Sequence, residues 1–315
     1  MRVLVALGGN AMTGPDGSAW PAEQRTAIAR AMEHVADLVA DGHEVVLTHG
    51  NGPQVGNLLV KNELAAHVVP PVPLDWCGAQ TQGTIGFTML DSLEAALAAR
   101  GLDRPVAALI TRTLVDADDP GFTHPTKPIG RFLPREQAQA LVDHGERWED
   151  RGEKGWRRVV ASPEPLEVLE TPTLMTLLGA GYIVVAAGGG GIPVVRGEGG
   201  TARGVEAVID KDLTAALLAR AVGADVLVIA TDVAHAVAGW GTPDAHDIGR
   251  VTLAEMEAYA AAGHFASGSM GPKVEAALRF VRSGGTRSII TALDQLAPAI
   301  DGNVGTVIEN PERER

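Results

Sequence analysis

The sequence has a single cysteine, Cys77, which excludes an intrachain disulfide framework and any zinc site built from several thiolates. That scarcity fits a reducing compartment. Positive charge is also short: 26 Lys and Arg stand against 39 Asp and Glu, a formal charge of -13. A field of that sign repels nucleic acid and anionic membranes, so neither is expected as a partner. No apolar run reaches the roughly 20 residues that cross a bilayer. The first stretch, Met1 to Leu7, meets Gly8-Gly9-Asn10 too soon to be a secretory leader. A soluble, cytoplasmic chain is expected. No Gly-x-x-x-x-Gly-Lys-Ser/Thr run exists, which excludes a P-loop. The nine histidines lack metal spacing such as His-x-x-x-His. His49, His124 and His235 therefore read as turn residues or as residues standing behind a site. Cys77, between apolar neighbours in a helical stretch, reads as a small core hydrophobe.

What the sequence does contain is alternation. Short apolar runs at Val3 to Leu7, Glu44 to Thr48, Val106 to Thr111, Ile183 to Ala187, Val226 to Ala230 and Ser288 to Thr291 read as buried strands. Helical spacing fills Pro21 to Ala40, Asp75 to Ala99, Asp210 to Val222, Leu253 to Ala262 and Pro272 to Arg282. Strand alternating with helix predicts a mainly parallel sheet covered on both faces. Ligands then gather at the carboxyl ends of its strands. The stretch from Asp116 to Pro165 breaks the pattern: it is rich in Pro, Gly, His and charge, with a short helical piece near Arg135 to Asp143. It reads either as a solvated insertion or as a lid over the ligand crevice. Trp148, Trp156 and Trp240 are expected to be packing residues or lid anchors.

Three strands end in glycine turns. The first runs into Gly8-Gly9-Asn10, the second into Gly50-Asn51-Gly52-Pro53, and the fourth into Gly188-Gly189-Gly190-Gly191. Bare backbone lets N-H groups approach an oxyanion, and a following helix N-terminus adds partial positive charge. Each of the first two turns pairs glycine with an Asn that can donate side-chain N-H groups. In the third, Pro193 occupies the position where a dinucleotide turn needs its last glycine, so a mononucleotide phosphate loop is expected instead. Thr231-Asp232-Val233 follows a strand and is a candidate contact for the nucleotide base.

Lysines are few, and three stand in rigid settings. Lys211 lies between Asp210 and Asp212, whose carboxylates are expected to hold its ammonium and keep it charged. Lys273 opens a helix in Met270-Gly271-Pro272-Lys273, near an N-terminus that favours anions. Lys127 stands between Pro125 and Pro128 in the insertion. Phosphoryl transfer needs positioned cations and N-H groups more than it needs a covalent nucleophile. Asp212 either holds the lysines in register or shares a Mg²⁺ with the nucleotide phosphates.

Taken in order, these motifs resemble the carbamate kinases, a branch of the amino acid kinase superfamily. The resemblance spans nearly the whole chain. It rests most on Asn51-Gly52-Pro53-Gln54, Asp210-Lys211-Asp212 and Ser269-Met270-Gly271-Pro272-Lys273, with Gln80-Thr81-Gln82-Gly83-Thr84-Ile85-Gly86 and Pro125-Thr126-Lys127-Pro128 in support. It implies a three-layer α/β/α sandwich with a mainly parallel open sheet, forming a single domain over 1–315. An N-terminal lobe, about 1–180, would bind the acceptor and carry a protruding lid at about 116–165. A C-terminal lobe, about 181–315, would bind ATP. The family's roles put Gly8, Gly9, Asn10, Gly50, Asn51 and Gly52 around carbamate or the moving phosphoryl group. Gly188 to Gly191, Asp210, Thr231 to Val233, Met270 and Gly271 would face the nucleotide. Lys211 and Lys273 would neutralise the transferring phosphate, Asp212 would orient them, and Lys127 would reach in from the lid. Mg²⁺ would arrive with ATP, carbamoyl phosphate and ADP would be the products, and the protein would be a homodimer. The related acetylglutamate and glutamate kinases carry a lysine just before the first glycines. Ala6-Leu7-Gly8 has none, and Lys211 stands in for it from the other lobe. Gly271 in the variable slot and Trp76-Cys77 are the departures. A kinase of this fold acting on another small acid or phosphate ester is the alternative, and a silent nucleotide-binding dimer is a further one.

Overall fold

A computed structural model describes residues 1–14, 17, 19–143, 145–265 and 270–310, without the side chains of Asn10 and Glu198. Its centre is an eight-stranded sheet. In chain order the strands are β1 (Arg2–Leu7), β2 (Glu44–His49), β3 (Val106–Ala108), β4 (Ile183–Val185), β5 (Val226–Thr231), β6 (Arg250–Thr252), β7 (Arg287–Ala292) and β8 (Thr306–Glu309). Across the sheet they run β6-β8-β7-β5-β1-β2-β4-β3. All pairings are parallel except β7 with β8.

Alternation of side chains along each strand feeds two cores. Leu4, Ala6, Val46, Val184, Leu227, Ile229 and Ile290 pack on one face against α4 (Thr171–Gly179), α5 (Lys211–Ala221), α6 (Leu253–Ala261) and α7 (Met270–Arg282). Val3, Val5, Leu7, Val45, Leu47, Ile183 and Val228 pack on the other against α1 (Pro21–Ala40), α3 (Leu74–Ala99) and α8 (Leu296–Ile300). Strands buried on both faces carry no polar alternation, which is why they read as unbroken apolar runs. The three-layer α/β/α sandwich follows.

Two expected strands are shorter than their apolar runs. Ile183 to Ala187 stops at Val185, because Ala187 takes a left-handed backbone, φ 52°. Val106 to Thr111 stops at Ala108, and Thr111 N instead donates to Gln82 Oε1 at 2.8 Å. The chain then joins a second sheet ordered Ala202–Gly204, Ile192–Arg196, Arg112–Leu114 and Glu167–Val168. Helix α4 went unpredicted: the stretch is apolar but short, and Pro172 marks its start.

The insertion between 116 and 165 is a folded unit. Strands Lys127–Leu133, Trp156–Val160 and Trp148–Asp150 form an antiparallel sheet, and the helix Arg135–Asp143 packs Ala138 against Leu133 and Trp148. Trp148 and Trp156 serve that small core as expected. Trp240 does not: it is 73% exposed, beside the hairpin of Ala236–Ala238 and His246–Ile248, so its expected packing role is corrected.

Candidate active site

Strand β1 lies at the middle of the sheet, with β2 on one side and β5 on the other, so the chain's connections diverge there. In open α/β sheets the crevice at such a switch point, beyond the carboxyl ends, is where ligands bind. Gly8 N donates to Ala230 O at 2.9 Å and Gly50 N to Leu7 O at 3.0 Å, tying the turns after β1, β2 and β5 together. A methyl group on Gly50 would lie 3.1 Å from both Gly9 N and Lys211 Cδ. The side chain of Lys211 therefore lies against the bare backbone of Gly50.

Asn51 precedes α2 (Gly52–Ala65) and donates its amide to Thr81 Oγ1 at 2.9 Å. Gly52 is the first residue of that helix, whose N-terminus presents unpaired N-H groups. The Asn10 side chain lies outside the described residues.

The three lysines converge through the Asp210-Lys211-Asp212 run. Asp212, buried at the start of α5, accepts from Lys211 Nζ at 2.6 Å on Oδ1 and from Lys273 Nζ at 3.1 Å on Oδ2. Asp210 caps the same helix, its Oδ1 accepting from Asp212 N at 2.9 Å and Leu213 N at 3.3 Å. Its other oxygen accepts from Lys127 Nζ at 2.9 Å, so the lid is tied to the cap of α5. This corrects the expectation that both flanking carboxylates hold Lys211. Asp210 is committed to the cap and the lid.

Charge at these groups follows from burial and neighbours. Burial holds the Lys211 pKa below its ordinary value; Asp212 opposes that, and the Lys273 ammonium adds to it. The shift is thus downward rather than upward as expected. Burial would lift Asp210, yet Lys127 and the capping N-H groups together hold it below the usual carboxylate range. His49, fully buried, is pushed down to about 4, by burial first and by Lys211 to a lesser extent. It is neutral at pH 7, with Nδ1-H donating to the Gly50 carbonyl at 2.9 Å.

The oligoglycine bend has a packing reason for its missing side chains. A methyl group on Gly188 would overlap His49, on Gly189 the Asn51 amide, on Gly190 the Ile209 carbonyl, and on Gly191 Thr113. All four glycines are buried. The bend is pinned by side chains that the motifs gave no role. Gln82 donates to Gly188 O at 3.0 Å and Thr113 Oγ1 to Gly190 O at 2.8 Å. Thr48 Oγ1 donates to Ala187 O at 3.0 Å, and Ala187 N to Thr111 Oγ1 at 2.7 Å. Thr81 and Gln82 are buried on their helix, and buried polar groups need partners, but only the fold shows which polar residues of that helix are covered.

Other candidates stand around this centre. Thr231 ends β5, Asp232 and Val233 are exposed just beyond it, and Thr231 Oγ1 donates to Asp232 Oδ1 at 3.0 Å. Met270 opens α7 and packs on the core, while Gly271 lies against the Phe265 carbonyl. Gly268 and Ser269 lie outside the described residues. Cys77 is buried in α3, as expected of a core hydrophobe. A cavity of about 760 Å³ opens beside the site, with Asn51, Gly52, Lys127, Gly189 and Gly191 on its wall. Lys211 and Lys273 are not on that wall. Among the described residues no cluster of His, Cys, Asp or Glu suits a metal ion, and none of the helices is long and apolar enough to cross a membrane.

Glycine turns and clustered ammonium groups at the switch point of such a sheet define a phosphotransferase for small molecules. The Amino acid kinase family model matches residues 1–292, and the chain belongs to that family. Within it the chain stands with the carbamate kinases and carbamate kinase-like proteins. It is 46% identical over 313 residues to a carbamate kinase of Thermococcus kodakarensis, covering 98% of each chain. It is 43% identical over 311 residues to the carbamate kinase-like protein YqeA of Escherichia coli, again covering 98% of each. The solved carbamate kinase from Giardia lamblia bound to AMP-PNP is 41% identical, with a TM-score of 0.92 and 98% of each chain covered.

Proposed function

We propose that this chain transfers a phosphoryl group reversibly between ATP and carbamate. The observation that carries this reading is the Asp212 carboxylate shared by Lys211 and Lys273, with Lys127 tied alongside through Asp210. A carbamate oxygen attacks the γ-phosphorus, the bond from that phosphorus to the β,γ-bridging oxygen breaks, and ADP departs with the electron pair. No covalent enzyme intermediate is needed. Lys211 and Lys273 neutralise the equatorial oxygens as charge moves across them, and Asp212 keeps both ammonium groups aimed. Gly8, Gly9, Asn10, Gly50, Asn51 and Gly52 hold the acceptor end. Gly188 to Gly191, Asp210, Thr231 to Val233, Met270 and Gly271 serve the nucleotide end.

The carboxylates nearest this centre are already engaged by lysines, so Mg²⁺ fits best as a companion of the ATP phosphates, where it would spread their charge. Acceptor binding belongs to the N-terminal lobe under the lid and ATP binding to the C-terminal lobe. A cytoplasmic homodimer working in the ATP-forming direction at the end of arginine breakdown is the setting that the resemblance supports.

A coupled assay with ATP and carbamate tests the proposal, and turnover is expected. Inactivity with carbamate beside clear activity with an amino acid or a nucleoside monophosphate would overturn it. The cavity volume favours one second reading, a kinase of this fold with a longer acid as acceptor, and an acceptor panel separates the two.

A further inference from the structure

The cavity beside Asn51 is far larger than a carbamate ion. It measures about 760 Å³, whereas four heavy atoms at about 30 Å³ each, a water molecule's share of the liquid, fill only about 120 Å³. In a chain of formal charge -13, its wall carries Lys61, Lys127, Arg131 and Arg157, with no carboxylate among the described lining residues. Two of these cations are neutralised by partners off the wall, Lys127 by Asp210 at 2.9 Å and Arg131 by Glu63 at 2.8 Å. Among the described residues, no carboxylate lies within ion-pair distance of Lys61 or Arg157. Arg157 is partly buried, donates Nε to Gly130 O at 3.2 Å and stacks over the Phe132 ring at 5.0 Å. Its remaining donors have no anion to meet, an arrangement that favours a bound one.

The positive groups fall at two separated ends. On the lid strand, Arg131 lies four residues beyond Lys127, past a bulge at Gly130, and Arg157 pairs opposite Phe132 just beyond it. On α2, Lys61 lies nine residues beyond Gly52, about 13 Å along a helix axis. The Arg131–Glu63 ion pair shows that the far ends of the two walls meet. Between the ends the wall is apolar, with Val55, Val60, Leu74 and Ile129. Carbamate, with a single charge, reaches one end only.

We propose that this cavity binds an elongated small diacid, one carboxylate at Asn51 and Lys127 and the other at Arg157 and Lys61, and that its occupancy excludes the acceptor. The exclusion rests on the acceptor reading above; the binding does not. Calorimetry on the full chain at fixed ionic strength, with malonate, glutarate, pimelate and the monoacid butyrate, reads the span directly. Glutarate or pimelate is expected to bind at least about tenfold more tightly than butyrate, the worth of one charged hydrogen bond. Arg157→Met is expected to weaken the best diacid about tenfold, and Lys61→Met, at an exposed position, about threefold. The same diacid should raise the KM for carbamate and leave kcat unchanged. Equal affinity for butyrate and the diacids, or unchanged diacid affinity in the variants, overturns the proposal; if Arg157→Met does not fold, Lys61→Met decides. A length-dependent diacid series without carbamate turnover would sink the acceptor reading alone, and turnover with a flat series would sink only the diacid site.

Discussion

Lys273 Nζ lies 3.1 Å from Asp212 Oδ2, although the two residues stand in the first turns of different helices, α7 and α5. The contact fixes one helix N-terminus against another and brings a second ammonium to the carboxylate that Lys211 already holds.

Lys211→Met should retain the fold, because Lys273 still pairs with Asp212. Loss of a positioned cation at the transferring phosphate is expected to lower kcat by about 10²- to 10³-fold. Steady-state kinetics beside a thermal melt tests both halves, and near-normal turnover would remove Lys211 from the chemistry.

Asp212→Asn leaves two ammonium groups facing each other without the carboxylate that both contact. Breaking a buried pair from one side costs about 3 to 5 kcal/mol. Urea denaturation should show a loss of about that size, together with a large fall in kcat. An unchanged denaturation midpoint would mean that the clamp contributes nothing to the fold.

His49 makes stability depend on pH. Unfolded, it takes up a proton near the ordinary histidine value of 6.5; folded, only near about 4. Between those values the unfolded chain binds more protons, so the contribution is complete above about 6.5 and declines as pH falls toward 4. The difference amounts to about 3 kcal/mol. Urea titrations at pH 5 and pH 7 should therefore differ less for His49→Gln than for the natural chain.

Gly189→Ala adds a methyl group where the Asn51 amide already stands, at φ 68°. Displacing Asn51 should raise the KM for the acceptor, while the left-handed backbone adds about 1 to 2 kcal/mol of destabilisation. Kinetics with acceptor varied at saturating ATP checks the first effect and chemical denaturation the second.

Much of this was legible in the residues. Helix α1 and the lid helix Arg135–Asp143 match their expected bounds, because Pro21 marks the start of one and a polar surrounding isolates the other. The buried strands were plain because both faces are covered. Long-range partners were not: nothing local tells that Asp210 serves Lys127 rather than Lys211, since that choice depends on where the lid strand lands. In sequence the oligoglycine bend reads as bare backbone for a phosphate, whereas the neighbours that exclude side chains there, His49, Asn51, Ile209 and Thr113, come from distant segments. Trp240 misled because bulk suggests burial, and only tertiary placement leaves it outside.

The strands that carry the chain out to the lid and back, Arg112–Leu114 and Glu167–Val168, are hydrogen-bonded antiparallel neighbours, with Leu166 N on Leu114 O at 2.9 Å. The excursion thus departs and returns through one narrow doorway. It is a modular appendage: a shorter hairpin spliced across that doorway would leave every strand of the central sheet with its partners. A replacement cover on the same chassis would have to bring its own partner for Asp210, because Lys127 leaves with the lid.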